Sequence, residues 1–185
     1  MESWETIKTW LLEADAFVLL TGAGMGVDSG LPDYRGTSGQ WGKVHSETDK
    51  SVFEVVNPQN FSENPEYAWK FFVARMKEYE TTTPHAGFQI LLDWIERFEL
   101  DYFALTSNID AHLQKAGFEE DRIREVHGSL RHFQCENPKV SDKIWKNEIP
   151  VDELIEQVNR GEYPTCPFQG YLLGQMYTCF EIPLM

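Results

Sequence analysis

The segment from Phe17 to Arg35, FVLLTGAGMGVDSGLPDYR, restricts the fold more than any other part of this 185-residue sequence. An apolar run from Ala16 to Leu20 has the length and composition of a buried strand, and it breaks directly into Gly22-Ala23-Gly24-Met25-Gly26. Glycines at that point let the backbone turn sharply and approach a ligand with no Cβ in the way. A strand feeding such a turn is a common way to hold a nucleotide pyrophosphate, with backbone N–H groups aimed at phosphate oxygens. The spacing is GxGxG rather than GxGxxG, and Gly30 and Pro32 interrupt the long helix that a dinucleotide-binding fold places next. Asp33, Tyr34 and Arg35 then bring an acid, a ring and a guanidinium beside the loop. Taken alone, the segment reads equally well as a strand, a glycine turn and an exposed polar loop.

Two later blocks add chemistry at the ends of further strands. Asp101 to Thr106 reads as a second buried strand, with Ser107 to Asp110 at its C-terminal end, where open α/β sheets bind ligands. Asn108 and Asp110 can face one pocket; the competing reading makes Asp110 an Asx-type cap for the helix that follows. Arg122 to Val126 reads as a third short strand running into His127-Gly128-Ser129. A histidine beside a glycine at a strand end suits proton transfer near neutral pH. His45, His112 and His132 have no comparable setting, and His85, opening a helix, reads as structural. Helical periodicity places Trp4, Ile7, Leu11 and Leu12 on a first amphipathic helix. It places Tyr67, Phe71 and Ala74, with Ala68, Phe72 and Met76, on a second, and Ile90, Leu91, Trp94, Ile95 and Phe98 on a third that packs on the sheet. Val151, Leu154, Ile155 and Val158 mark a last one.

The block GAGMGVDSGLPDYRGTSGQW resembles the NAD-binding loop of sirtuins, GAGxSxxSGIPDFRGxxGxW. Thr106-Ser107-Asn108-Ile109-Asp110 resembles their TQNID, and Val126-His127-Gly128-Ser129 their catalytic HGS segment, in the same order along the chain. The resemblance covers roughly Trp4 to Cys135 and implies an α/β fold, a Rossmann-like parallel sheet with helices on both faces, incomplete at the C-terminus. It implies one catalytic domain over 1–185, with a cofactor loop and helical insert over 36–80 and a degenerate zinc-ribbon region over 130–170. The implied activity is NAD-dependent lysine deacylation, with release of nicotinamide and transfer of the acyl group to ADP-ribose. In that reaction His127 is the general base, and Asn108 positions water and the ribose. Asp110 holds the nicotinamide carboxamide; Ala23, Gly24 and Arg35 engage the phosphate region, and Gly22 belongs to the same cofactor-binding set. Tyr34 stands where a phenylalanine shields the reaction centre, and Asp33 and Ser107 complete the cofactor set.

The same resemblance exposes departures. Ser107 replaces a glutamine and Gly26 a serine. The family's zinc ribbon needs two CxxC pairs closing a tetrahedron, yet Cys135 and Cys166 are followed three positions later by Pro138 and Gln169, and Cys179 is spaced wrongly. Cys135 and Cys166 are therefore read as remnants, with no zinc bound. The tail after Leu172 departs from the expected sequence, so the chain reads as truncated. Rival readings use the same pocket for NAD glycohydrolysis or ADP-ribosyl transfer, or make the chain a non-catalytic remnant.

Composition bounds the partners. With 16 basic against 30 acidic residues the formal charge is −14, which argues against nucleic acid or an anionic membrane as a direct partner and is compatible with a cationic peptide carrying an acylated lysine. Hydrophobic content of 42% and aromatic content of 14% are globular values. The first residues, MESWETIKTW, lack signal-peptide character. Three cysteines do not make a disulfide framework, and the expected compartment is the reducing cytoplasm.

Overall fold

The computed structural model describes residues 3–33, 57–137, 141–167 and 173–175, together with Gly39, Glu54 and Lys139. Tyr34, Arg35, Trp41, His45 and Cys179 lie outside the described residues. Strands β1 (Ala16–Thr21), β2 (Asp101–Thr106) and β3 (Ile123–Glu125) form a parallel sheet with β2 in the middle. The register pairs Thr21 with Thr106 and Thr106 with Glu125, so the carboxyl ends of all three strands finish level. The loops carrying the glycine, SNID and HGS motifs therefore leave the sheet at the same end.

Helix α1 (Trp4–Glu13) starts at Ser3, whose Oγ accepts the Thr6 N–H at 3.2 Å, a side-chain cap of the usual kind. Its expected apolar stripe is not buried: Trp4 is 84% and Leu12 57% exposed. Helix α2 (Gly24–Val27) lasts a single turn. It stops where Gly30 takes a left-handed backbone, φ +95°, a conformation that costs glycine nothing, and Pro32 follows. After α3 (Asn60–Glu63) and α4 (Pro65–Thr81), α5 (Ala86–Arg97) and α6 (His112–Ala116) pack on the sheet. Phe88 and Ile95 of α5, Leu113 of α6 and Phe118 close over Ala104, with Phe17, Leu19 and Tyr102 beside them. Ile90, Trp94 and Phe98, assigned by periodicity to the packed face, are instead exposed.

Helices on both faces of the sheet were expected, and here the described residues cover one. Val18 and Leu20 are 70% and 73% exposed, and Phe103 and Leu105 beside them are also open. The physical reason is the period of two along a strand: Phe17, Leu19, Tyr102 and Ala104 point to α5 and α6, and the alternate residues point to a face that no described element covers.

The second core belongs to a smaller lobe. Here α3, α4 and α7 (Val151–Asn159) pack with an antiparallel sheet of β4 (His132–Cys135), β5 (Ile144–Lys146) and β6 (Leu173–Gln175), in the order β5–β4–β6. Trp69 stands edge-on to Phe133 at 5.7 Å and to Phe61 at 5.3 Å, while Phe72 stacks on Phe61. The core-facing stripe of α4 is Ala68, Trp69, Phe72, Val73, Met76 and Tyr79, and Ala74, read as apolar-face, is exposed. Cys135 and Cys166, which looked too sparse for a framework, are joined as a disulfide within this core. Among the described residues no helix is long and apolar enough to cross a membrane.

Candidate functional site

The three motif loops meet because each sends one aliphatic side chain into the same core. Leu31 from the glycine segment, Ile109 from SNID and Leu130 just after HGS all sit in the small-lobe cluster with Phe61, Trp69 and Phe133. None is more than 5% exposed. These anchors fix three segments far apart in sequence on one core, and two of them, the glycine and SNID segments, form with Tyr79 a recess lined by Ala23, Gly26, Leu31, Pro32, Asn108, Ile109 and Asp110. A larger cavity of about 350 Å³ adjoins it through Tyr79, Ile109 and Asp110.

Hydrogen bonds lock the polar members. Asn108 Nδ2 donates to the Gly22 carbonyl at 2.9 Å, and the Asn108 N–H donates to Thr106 Oγ1 at 3.0 Å. The Ser107 N–H reaches the Thr21 carbonyl at 3.1 Å, continuing the β1–β2 ladder by one rung. A Cβ at Gly22 would lie 3.4 Å from Ser107 Oγ, an ordinary contact, so the two loops lie side by side at this point. Met25 and Gly26 donate to the Gly22 and Ala23 carbonyls at 2.8 and 3.0 Å. This closes the turn, and the N–H groups of Ala23 and Gly24, by their place in the first turn, have no intrahelical acceptor.

Asp110 fits both readings made of it. Its Oδ1 accepts the His112 N–H at 2.9 Å, an Asx-type turn next to Ala111, which holds the left-handed backbone at φ +59°. Its Oδ2 faces Gly26, where an added Cβ would lie 3.5 Å away. One carboxylate oxygen thus caps and the other looks into the recess. The recess has an apolar wall of Leu31, Pro32 and Ile109 with two convergent polar groups, and its own volume is about 10 Å³, so a flat ligand would have to extend into the adjoining cavity.

His127 leaves β3 at the same end of the sheet, where the Val126 N–H bonds the Thr106 carbonyl at 2.9 Å and Gly128 turns at φ +82°. Its side chain is exposed, and it lines neither cavity. Asp33 is exposed at the end of the glycine segment. Of the residues singled out in the sequence, Gly22, Ala23, Gly24, Ser107, Asn108 and Asp110 are brought together. His127 leaves the sheet at the same end without lining the recess, and Tyr34 and Arg35 lie outside the described residues.

Several supporting residues have no local signal. His85 Nδ1 accepts the Gly87 N–H at 3.0 Å, so its Nε2 carries the proton and donates to the Met25 carbonyl at 3.0 Å. The helix start is thereby tied to the glycine turn, in keeping with a structural histidine. Glu125 sits in β3 two positions before His127, and burial pushes its carboxyl above the ordinary value, against a smaller opposing pull from Arg131. Burial also lowers His112, with Lys115 and His85 adding to the effect and Asp110 opposing it. His132 is lowered in the same way, first by burial and then by Arg131. The anchors Leu31, Ile109 and Leu130 had a signal that went unused: one aliphatic residue inside or beside each polar motif.

The model of the Sir2 family matches residues 22–174. The chain belongs to the Sir2 family. It is 32% identical over 167 residues to an NAD-dependent protein deacylase of Leptospira interrogans, covering 89% of this chain and 63% of that protein. It is 34% identical over 132 residues to NAD-dependent protein deacetylase 1 of Geobacillus kaustophilus, covering 71% of this chain and 51% of that protein. Among solved structures, a mutant Sir2 homologue in complex with ADP ribose superposes with a TM-score of 0.72 at 28% identity, over 98% of this chain and 66% of that one. A Sir2 homologue in complex with NAD superposes with a TM-score of 0.73 at 26% identity, over 97% and 62%. The resemblance read from three ordered motifs is borne out. This Sir2-family chain spans less than two thirds of the curated relatives it matches.

Proposed function

We propose that this chain works as an NAD-dependent protein lysine deacylase whose nicotinamide-ribose site is the recess between the motif loops. The observation that carries the reading is the burial of Leu31, Ile109 and Leu130 in one core, which draws the glycine turn, Asn108 and Asp110 to one recess, while the strand end that carries His127 leaves the sheet at the same end. The names of the Leptospira and Geobacillus relatives support the reaction class, and a homologue solved with NAD supports the cofactor.

The recess suits the group it would receive. Asp110 Oδ2 is an acceptor for a carboxamide NH₂, held in place because Oδ1 is engaged by the helix start. Asn108 is oriented by its Gly22 contact, which leaves its amide oxygen to position water or a ribose hydroxyl. The Ala23 and Gly24 N–H groups suit phosphate oxygens, with Arg35 assigned to the same region by the motif, and Asp33, Tyr34 and Ser107 grouped with the cofactor set. Bound NAD would supply the labile glycosidic bond whose cleavage frees nicotinamide. His127 would take a proton from a ribose hydroxyl so that the acyl group can pass to it, and its exposure leaves it within reach of a protein-borne acyl-lysine. The charge of −14 suits a cationic peptide around that lysine. A cytoplasmic setting is part of the proposal.

The test is nicotinamide release from NAD, with and without an acetyl-lysine peptide. Steady-state release over many turnovers should require the peptide and should fall at least ~100-fold in His127→Ala, the scale of a lost general base, because the acyl transfer must finish before the next turnover. Peptide-independent release would point to glycohydrolysis, and equal rates in the two proteins would remove the catalytic assignment of His127.

A further inference from the structure

Cys135 and Cys166 stand 31 positions apart in sequence with Cα atoms 5.5 Å apart, within the range that bridged cysteines adopt. Both are 1% exposed, sealed in the core with Trp69, Phe133, Leu154 and Val158. Cys135 ends β4, which begins at His132 and pairs with both β5 and β6. Cys166 follows α7, which packs on α4. The two sulfurs therefore join the central strand of the small sheet to the far end of the segment that folds back over it.

A closed metal site needs four ligands, and the described residues of this neighbourhood do not provide them. The positions three beyond each cysteine are Pro138 and Gln169, and among the described residues no group of three or more His, Cys, Asp or Glu could hold a metal. Two thiolates in an apolar core without a cation would leave uncompensated buried charge. The neutral solutions are a pair of thiols or a disulfide.

We infer that Cys135 and Cys166 form a reversible dithiol–disulfide staple that closes the small lobe in place of a metal, so that the redox state of the pair sets the stability of the lobe. Oxidation balances as a double exchange with a low-molecular-weight disulfide such as oxidised glutathione. One cysteine sulfur first forms a mixed disulfide and releases one small thiol. The second cysteine then displaces the other, forming the Sγ–Sγ bond, and both cysteine protons end on the departing thiols. Because both sulfurs are buried, exchange passes through local opening of the lobe and is slow in the folded state. The staple bears on the site through Leu130, which shares its core and directly follows Ser129.

The experiment uses the full chain equilibrated with oxidised glutathione or with a dithiol reductant. Each sample is denatured and alkylated with N-ethylmaleimide, and adducts are counted by intact mass. Of the three cysteines, the oxidised sample should take one adduct and the reduced sample three. The oxidised form should melt higher than the reduced form by roughly 10 °C, from the entropy of closing a loop of this length and the usual temperature scale for a chain of this size. The Cys135→Ser/Cys166→Ser double variant should lose that redox dependence. Three adducts from the oxidised sample, a glutathione adduct without a bridge, or equal melting of the two redox forms would each overturn the inference. Stoichiometric zinc in the reduced protein would overturn it too. The adduct count on the wild type decides the matter even where the double variant does not fold, and none of these readouts depends on deacylase activity.

Discussion

Asn108 is held from two directions, and the consequences of removing it are separable. Its side chain ties the Gly22 carbonyl at 2.9 Å while its own N–H is taken by Thr106 Oγ1. Asn108→Ala keeps the second bond and strands the first acceptor, a loss of about 1–2 kcal/mol, and it removes a polar group from the recess. Melting with and without NAD should show both a lower midpoint and a smaller shift from the ligand. Asn108→Asp should melt lower still at neutral pH, because it sets a carboxylate against a carbonyl oxygen. His112 gives a pH prediction of definite sign. Its folded pKa is lowered from 6.5 by burial first, then by Lys115 and His85, with Asp110 opposing. The folded protein therefore binds fewer protons than the unfolded chain just below 6.5. This contribution to stability is complete above that pH and is lost as pH falls through the window beneath it. Melts from about pH 7 down to about pH 5.5 should show a falling midpoint, with a shallower slope in His112→Leu; burial of His132 in the same direction leaves part of the slope. An unchanged slope in the variant would absolve His112. At this scale the motifs placed Gly22, Asn108 and Asp110 near one another, and the structure brings those three together, whereas His127, named by a motif too, stands outside the recess. His112 was set aside because nothing local distinguishes a buried histidine from an exposed one.

Lys115 shows what an element needs that its own sequence does not supply. The last carbonyls of α4 have no partner within the helix, and Lys115 Nζ, reaching across from α6, donates to those of Tyr79, Glu80 and Thr82, the latter two at 2.7 and 2.8 Å. A cation at a helix C-terminus is also favoured by the helix dipole. The contact clips the small-lobe helix to the turn that follows Asp110. Lys115→Met keeps most of the apolar stem and removes the donors. It should cost about 2–3 kcal/mol, a melting point lower by roughly 5–10 °C for a chain of this size, with loosening of α4 visible as faster amide exchange in its last turn. No reading of either segment alone finds this pair, because the partners are more than thirty residues apart in sequence. Elements with a local cause were legible: β1 and β2 as apolar runs, β3 leading into HGS, and α2 cut short by Gly30 and Pro32. The antiparallel sheet of the small lobe was not, since β5 and β6 are three residues each and their pairing with β4 is entirely long-range. The exposed face of α1 misled for a related reason, as periodicity reports that an apolar stripe exists and not that anything covers it.

The described residues form two apolar cores that meet at the site. One lies between the parallel sheet and α5 and α6, and the other fills the small lobe, into which the motif loops send Leu31, Ile109 and Leu130. The sheet itself is built asymmetrically. Parallel strands in open α/β folds are ordinarily buried on both faces, and the continuous apolar run of β1 was read in that sense. Ala104 is fully buried, whereas Leu20 on the neighbouring strand is 73% exposed. The two faces should therefore respond oppositely to the same insult. Ala104→Lys forces a charge into the core under α5 and α6 and should abolish folding, because an unpaired buried ammonium has no compensation there. Leu20→Lys places its ammonium in water and trades an exposed leucine for a residue that raises solubility. Its midpoint should move by no more than ~2 °C, the span of a neutral surface change, and the variant should stay monodisperse at higher concentration than the parent. If Leu20→Lys instead unfolds the chain, the open face is covered in solution by a layer that the described residues do not include, and the sheet is two-sided as the sequence first suggested.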